Sequence, residues 1–340
     1  MIVNDSRASI APSLPTCLYI EVTNRCNSLC ETCPRTFVTR EPLHDITWDD
    51  FKRVVDSNPV MNRAVLHGIG EPTMHKELIR MIEYLKARNI SVLFNTNAVL
   101  LNRALQEKLI ASGLDELRIS LDGATPETYF KIRGIPAFEK VLKYSAEMIQ
   151  TKRELNASNP KLCFYFTGMQ ANLPELPDVF RIAARIGMPE VYLQRLTFFD
   201  DGMATADQAI FTAYGDNEQE RAIIAECERL AQEFGIVFNG SGATTARGSL
   251  EQSIHKPKHP WQRCMRPWTV GYVTANGNAL PCCIAPFTGA PYRDIILGNA
   301  FGEEGFAAVY NNERYIQFRE KFLSDTPPAS CAGCGSKWSI

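Results

Sequence analysis

The sequence predicts an α/β fold built on parallel strands, and three observations carry that prediction. Six apolar runs rich in β-branched residues recur between residues 17 and 196, and helical patterns fall between them. Each strand–helix pair has the length of a β/α unit. Beyond about residue 240 the alternation stops, and the chain becomes rich in Gly, Pro and Cys. The pattern fits an open or closed barrel or a doubly wound sheet over residues 1–240, with a small C-terminal domain over 241–340.

In chain order, residues 17–23 read as a strand that runs straight into a loop holding Cys26, Cys30 and Cys33. Thr47, with Asp50 three residues on, marks a capped helix start. Strands follow at 64–69, 90–95, 116–121, 161–167 and 190–196. Helices are expected at 75–88, 101–112, 126–133, 137–153 and 174–186, with Gly113 and Gly187 as stops. Residues 217–234 form a long helical pattern, followed by a short strand at 236–239 and a loop through 240–248. No repeat of 20–50 residues is visible.

Composition narrows the function classes. The 340 residues are 45% hydrophobic and 22% charged, a balance that excludes disorder as the main state. Thirty-six basic residues against 38 acidic ones leave a charge of −2, so nothing draws the chain generally to nucleic acid or an anionic membrane. There is no apolar run of bilayer length and no secretory signal pattern, so a cytoplasmic protein is expected, with neither nucleic acid nor membrane among its partners. In a reducing compartment the 11 cysteines are not readily explained as disulfides. Eight of them fall in two groups, 26/30/33 and 264/282/283/331/334, which points to metal or cluster ligation.

Cys26, Cys30 and Cys33 have the spacing C-x3-C-x2-C. Three thiolates on one loop suit three irons of a [4Fe–4S] cube with the fourth iron open, although spacing alone leaves zinc as an alternative. The loop lies at the carboxyl end of the first strand, where such folds place their chemistry. The second strand ends in Gly68-Ile69-Gly70-Glu71-Pro72, where the two glycines would allow close backbone approach to a ligand. The fourth ends in Ile119-Ser120-Leu121-Asp122-Gly123.

On these three signals, in this order, the sequence resembles the radical S-adenosylmethionine (radical SAM) superfamily over roughly residues 17–200. Thr32 departs from the aromatic residue usual there. The resemblance implies a partial (β/α)6, TIM-like barrel in which Cys26, Cys30 and Cys33 hold the cluster and its open iron takes SAM. It implies that Gly68, Gly70 and Glu71 meet the methionyl amino group and that Ser120 meets the ribose or carboxylate. Asn95 faces the site, and Arg133 pairs with the methionyl carboxylate. For Asn95 and Arg133 a strand cap and a solvated helix end remain alternatives. The activity implied is reductive SAM cleavage to a 5′-deoxyadenosyl radical, with an electron supplied by a flavodoxin- or ferredoxin-type donor.

In the C-terminal group, 17 residues separate Cys264 from Cys282, Gly277 stands five residues before Cys282, and Cys331 and Cys334 form a late C-x2-C pair. A zinc site is the structural alternative. On a radical SAM chain the pattern resembles the SPASM auxiliary-cluster region in its short "twitch" form, which implies a second [4Fe–4S] cluster on Cys264, Cys282, Cys331 and Cys334. Cys283 is an alternative ligand to Cys282. Cys163, Cys227 and Cys283 are candidate hydrogen-atom donors, with burial as small hydrophobes the plainer reading for the first two. Gln194 and Arg195, ending the sixth strand, are candidate substrate contacts, and the following Phe198, Phe199, Asp200 and Asp201 a candidate substrate wall. His67 and His75 receive no role.

The four-Cys auxiliary pattern is similar to that of an aminocyclitol dehydrogenase. It favours a small polar metabolite (sugar, aminocyclitol or nucleoside) as substrate, with oxidation ahead of epimerisation or decarboxylation in natural-product biosynthesis. The alternative is radical modification of a ribosomally made peptide, against which the early position of Cys26 leaves no room for a leader-peptide recognition domain. A non-enzymatic zinc module is the rival of a different class.

Overall fold

The computed structural model describes residues 7–210, 218–241, 245–248, 264–332 and 334. Seven strands run parallel in chain order: β1 (Cys17–Ile20), β2 (Arg63–Val65), β3 (Ser91–Thr96), β4 (Glu116–Ser120), β5 (Lys161–Gly168), β6 (Glu190–Arg195) and β7 (Val237–Gly240). Between them lie α1 (Pro34–Phe37), α2 (Trp48–Asp56), α3 (Leu78–Lys86), α4 (Arg103–Ala111), α5 (Pro126–Arg133), α6 (Phe138–Glu154), α7 (Leu176–Ile186) and α8 (Glu218–Phe234). This is the mixed α/β fold of a partial barrel. Among the described residues no helix is long and apolar enough to cross a membrane.

Alternation along the strands determines which residues face the barrel interior. Leu18, Ile20, Val92, Phe94, Leu117, Ile119, Phe164, Phe166, Val191 and Leu193 point outward and are buried in one core with helical residues such as Val54, Leu85, Leu109, Leu142 and Val179. Each such side chain stabilises the fold by about 1.5–3 kcal/mol on burial. The intervening positions point inward and carry mostly polar or aromatic groups: Tyr19, Asn95, Arg118, Ser120, Tyr165, Tyr192 and Gln194.

Helix ends follow the sequence signals with two shifts. Thr47 Oγ1 accepts from the Asp50 N–H at 3.2 Å, and Gly113 and Gly187 adopt φ of 77° and 81°. The helix expected from residue 75 begins at Leu78, because His75 is held by Ile46 O at Nε2 and by the Glu77 N–H at Nδ1 after a 3-10 turn, Pro72–Met74. The second strand ends at Val65, and residues 68–70 leave the sheet.

The C-terminal segment adds to the same sheet. β8 (Val270–Val273) pairs in parallel with β1, and β9 (Asn278–Leu280) and β10 (Gly298–Asn299) extend it antiparallel. Helix Glu313–Leu323 carries Arg319, which is fully buried and stacks near Tyr310 and Tyr315. Arg319 and Trp268 bind the carbonyls of Ser9 and Ala8, so the N-terminal lead-in is clasped by C-terminal residues.

Candidate functional site

Cys26, Cys30 and Cys33 lie together on the wall of a cavity of about 710 Å³ at the carboxyl end of the barrel strands. Arg35 braces their loop by donating to the carbonyls of Cys26 and Ser28, and Asn97 Nδ2 donates to Asn27 Oδ1 and Ser28 Oγ. Burial pushes the Cys30 thiol up and the Cys33 thiol to about 12, so the free thiols stay protonated until an electrophile takes the proton's place.

The residues expected to surround SAM share this cavity: Gly68, Gly70, Glu71, Asn95, Ser120 and Arg133 all line it. Their arrangement refines the sequence reading. The Glu71 carboxylate is turned onto the end of β3, accepting from Thr96 Oγ1 and the Asn97 N–H, both at 2.7 Å, and from Thr73. The side chain therefore braces the turn, and the turn's backbone is left to face a ligand.

The glycines answer to the protein as well. A Cβ on Gly68 would lie 2.0 Å from Glu21 Oε2, and one on Gly70 2.0 Å from Thr23 O. Arg133 Nη1 pairs with Asp122 Oδ2 at 2.9 Å, while its Nε is buried without a partner. Burial works against its charge, and the negative groups beside it, the Asp122 carboxylate and Cys30 once its thiol is deprotonated, more than offset that, so the guanidinium stays charged. Asn95 Oδ1 is also buried without a partner.

The deep wall was not legible residue by residue. His67 Nδ1 accepts from the Asn95 N–H at 3.1 Å, and burial together with Arg118 lowers its pKa to about 3, leaving it neutral. Tyr19 meets His67 edge-on at 5.5 Å, and Tyr165 stacks on Tyr192 at 4.7 Å. Arg118 lies 5.3 Å over the Tyr165 ring and pairs with Glu116. The signal that finds these residues is period-2 placement of Tyr, Arg and Asn in strands otherwise apolar enough for a buried sheet.

Gln194 lies on the wall, accepting from the Tyr165 hydroxyl at 2.8 Å. Arg195 lies beside it, with burial lowering its pKa to about 9 against the opposing pull of Glu220. The expected substrate wall beyond them is corrected. Phe199 packs with Ile132, Met169 and Leu196 in a small separate core and lies 6.2 Å from Phe37, while Asp200 and Asp201 face solvent. Neither Phe198 nor these three lines the cavity.

The candidate hydrogen donors separate as clearly. Cys227 is buried on α8, and Cys163 is buried beneath Tyr165 with its thiol directed at Phe164 O, so neither lines the cavity. Cys283 does, as a hydrogen-bonding partner of Tyr19.

The adjacent Cys282 belongs to a second cavity of about 30 Å³, which it lines with Cys264, Cys331 and Cys334 among Pro267, Pro281, Phe318 and Phe322. Burial pushes the Cys282 thiol well up. Arg266 lines both cavities, its Nη1 3.9 Å from Cys264 Sγ. Among the described residues no three Cys, His, Asp or Glu side chains gather as the ligands of a single metal ion. Each cysteine group offers thiols alone: Cys26, Cys30 and Cys33 together on the polar wall of one cavity, and Cys264, Cys282, Cys331 and Cys334 around the apolar pocket of the other. That chemistry fits iron–sulfur ligation.

Comparison with known proteins agrees with this geometry. The radical SAM superfamily matches residues 20–159, and the SPASM iron–sulfur cluster-binding domain matches residues 264–335. The chain is 25% identical to the mycofactocin maturase MftC of Mycolicibacterium smegmatis, over 94% of this chain and 76% of that protein. It is 22% identical to the PqqA peptide cyclase of Gluconobacter oxydans, over 80% of this chain and 71% of the relative. Among solved structures, Streptococcus suis SuiB bound to precursor peptide SuiA aligns with a TM-score of 0.69 at 17% identity, over 97% of this chain and 72% of that one, a likeness of fold.

Proposed function

Because the chain belongs to the radical SAM superfamily and carries a SPASM iron–sulfur domain toward its C-terminus, we propose that it modifies a peptide by radical chemistry. It is an enzyme whose cofactors are SAM, a [4Fe–4S] cluster and auxiliary iron–sulfur. The observation that carries the peptide reading is the similarity, along most of the chain, to MftC and to a peptide cyclase. The relatives do not support the expectation of a sugar, aminocyclitol or nucleoside substrate.

When bound, the cluster and SAM together supply a 5′-deoxyadenosyl radical able to abstract hydrogen. In this reading Cys26, Cys30 and Cys33 hold the cluster, and Cys264, Cys282, Cys331 and Cys334 hold a single auxiliary one. The backbone of residues 68–71, Asn95 Oδ1, Ser120 and the Arg133 guanidinium orient SAM. Gln194 and Arg195 contact the substrate residue, and the aromatic wall of Tyr19, Tyr165 and Tyr192 keeps water from the reacting carbon. Cys283 is the thiol positioned to return a hydrogen atom. A flavodoxin- or ferredoxin-type protein delivers electrons.

The test uses reduced holo-protein, SAM and a short peptide encoded beside its gene, with 5′-deoxyadenosine and peptide mass as readouts. Peptide-dependent 5′-deoxyadenosine with a matching change in peptide mass is expected. Stimulation by aminocyclitols or nucleosides alone, with the peptide unchanged, would overturn the reading.

A further inference from the structure

Glu21 is a fully buried carboxylate that none of the assignments above uses. It follows β1 on the inward-facing side, two residues beyond Tyr19, and is 2% exposed. Its backbone N–H continues the pairing with β8 by donating to Val273 O. Oε2 accepts from the Ile69 N–H at 2.7 Å and from the Tyr272 hydroxyl at 2.9 Å, and Oε1 accepts from the Ala275 N–H at 3.2 Å. One donor thus comes from the 68–70 turn and two from the C-terminal segment.

Gly68 makes this junction possible. A Cβ there would lie 2.0 Å from Glu21 Oε2 and 2.2 Å from the Tyr272 hydroxyl, contacts that no side chain tolerates. Gly68, Ile69 and Tyr272 all line the large cavity, while Glu21 stands behind them on the wall of a smaller one of about 320 Å³. Holding a carboxylate out of water is costly, and three convergent donors offset part of that cost here.

We propose that Glu21 is a positioning residue that joins the SAM-facing turn to the C-terminal strand, so that SAM affinity depends on contacts made by β8. The inference rests on the reading that residues 68–71 face SAM. Glutamine at position 21 keeps the shape but replaces one acceptor oxygen with an amide NH2, set against either the Ile69 or the Ala275 N–H. Phenylalanine at 272 removes only the hydroxyl.

The experiment measures SAM binding by equilibrium dialysis on anaerobically reconstituted E21Q, Y272F and wild-type protein, alongside iron content and thermal unfolding. E21Q is expected to keep the wild-type iron content and bind SAM at least tenfold more weakly. Y272F is expected to keep its iron and bind SAM several-fold more weakly. A merely structural staple would lower the unfolding temperature and leave the affinity of the folded, iron-loaded protein unchanged.

Wild-type affinity in an iron-replete E21Q overturns the proposal. So does wild-type affinity in Y272F if E21Q fails to fold or to load iron. Failure of the underlying reading is distinct, because wild-type protein would then itself not bind SAM.

Discussion

The two cysteine sites share Arg266 on their walls yet differ in almost every physical respect. The barrel site is a cavity of about 710 Å³ lined by hydroxyl, amide and guanidinium groups, with Asn95 Oδ1 and Arg133 Nε lacking protein partners. The C-terminal site is a pocket of about 30 Å³ walled by proline and phenylalanine. A roomy polar cavity that leaves buried polar atoms unsatisfied is built to receive a ligand. A tight apolar pocket with four thiols is built to surround a group and exclude everything else. The dipeptide Cys282-Cys283 spans the difference, with one thiol in each.

The strongest way to break this comparison is to remove one set of thiols. Replacing Cys26, Cys30 and Cys33 with Ala is expected to abolish 5′-deoxyadenosine formation and to remove about four of about eight irons. Undiminished SAM cleavage by that variant under dithionite would refute the barrel assignment. Replacing Cys331 and Cys334 is expected to remove the other half of the iron and the product while SAM cleavage persists, as seen by assaying 5′-deoxyadenosine and product together. About four irons plus one zinc in wild-type protein would make the C-terminal pocket a structural metal site.

A finer cut separates neighbours. Cys282→Ala is expected to lose about four irons, and Cys283→Ala none, by iron analysis of matched reconstitutions. The reverse pattern would exchange their assignments.

The smallest effect concerns Glu21, whose pKa is raised to about 7, first by desolvation and against the hydrogen bonds that Ile69, Ala275 and Tyr272 donate. Between its unfolded value of 4.5 and about 7 the folded chain holds a proton that the unfolded chain has released. Stability from this group is therefore fully present below pH 4.5 and is lost as pH rises through 7. The full contribution is about 3 kcal/mol, of which about 1 kcal/mol falls between pH 6 and 8. Relative to wild type, E21Q should gain that stability over the interval in denaturant unfolding. An equal pH dependence in the two proteins would contradict a buried, titrating Glu21.

What the sequence made legible follows from what local patterns encode. Period-2 and period-3.6 patterning located the seven parallel strands and most of the helices between them, because each element buries one face. Cysteine spacing located the first thiol site, whose three ligands share one short loop, whereas Cys264, Cys282, Cys331 and Cys334 are spread over the C-terminal segment and only their late C-x2-C pair is a local signal. The SAM turn was legible from Gly68 to Glu71, but the direction of the Glu71 carboxylate depends on Thr96 and Asn97, which arrive from another strand. The lumen residues His67, Arg118, Tyr165 and Tyr192 stand far apart in sequence and meet only through the parallel pairing of the strands they lie on or follow. Phe199 leaves the expected wall because it packs against Ile132 and Met169, which arrive from other elements, and Asp200 after it turns to solvent. The pairing of β8 with β1 has no local signature, and the link through Glu21 follows from it.

The central claim, that one thiol site admits SAM and the other does not, is tested most directly by titrating SAM into dithionite-reduced holo-protein and following its electron paramagnetic resonance spectrum. Two cluster signals are expected, of which only the one lost on replacing Cys26, Cys30 and Cys33 changes with SAM. A change in the signal that depends on Cys264, Cys282, Cys331 and Cys334, or in neither, would contradict the account.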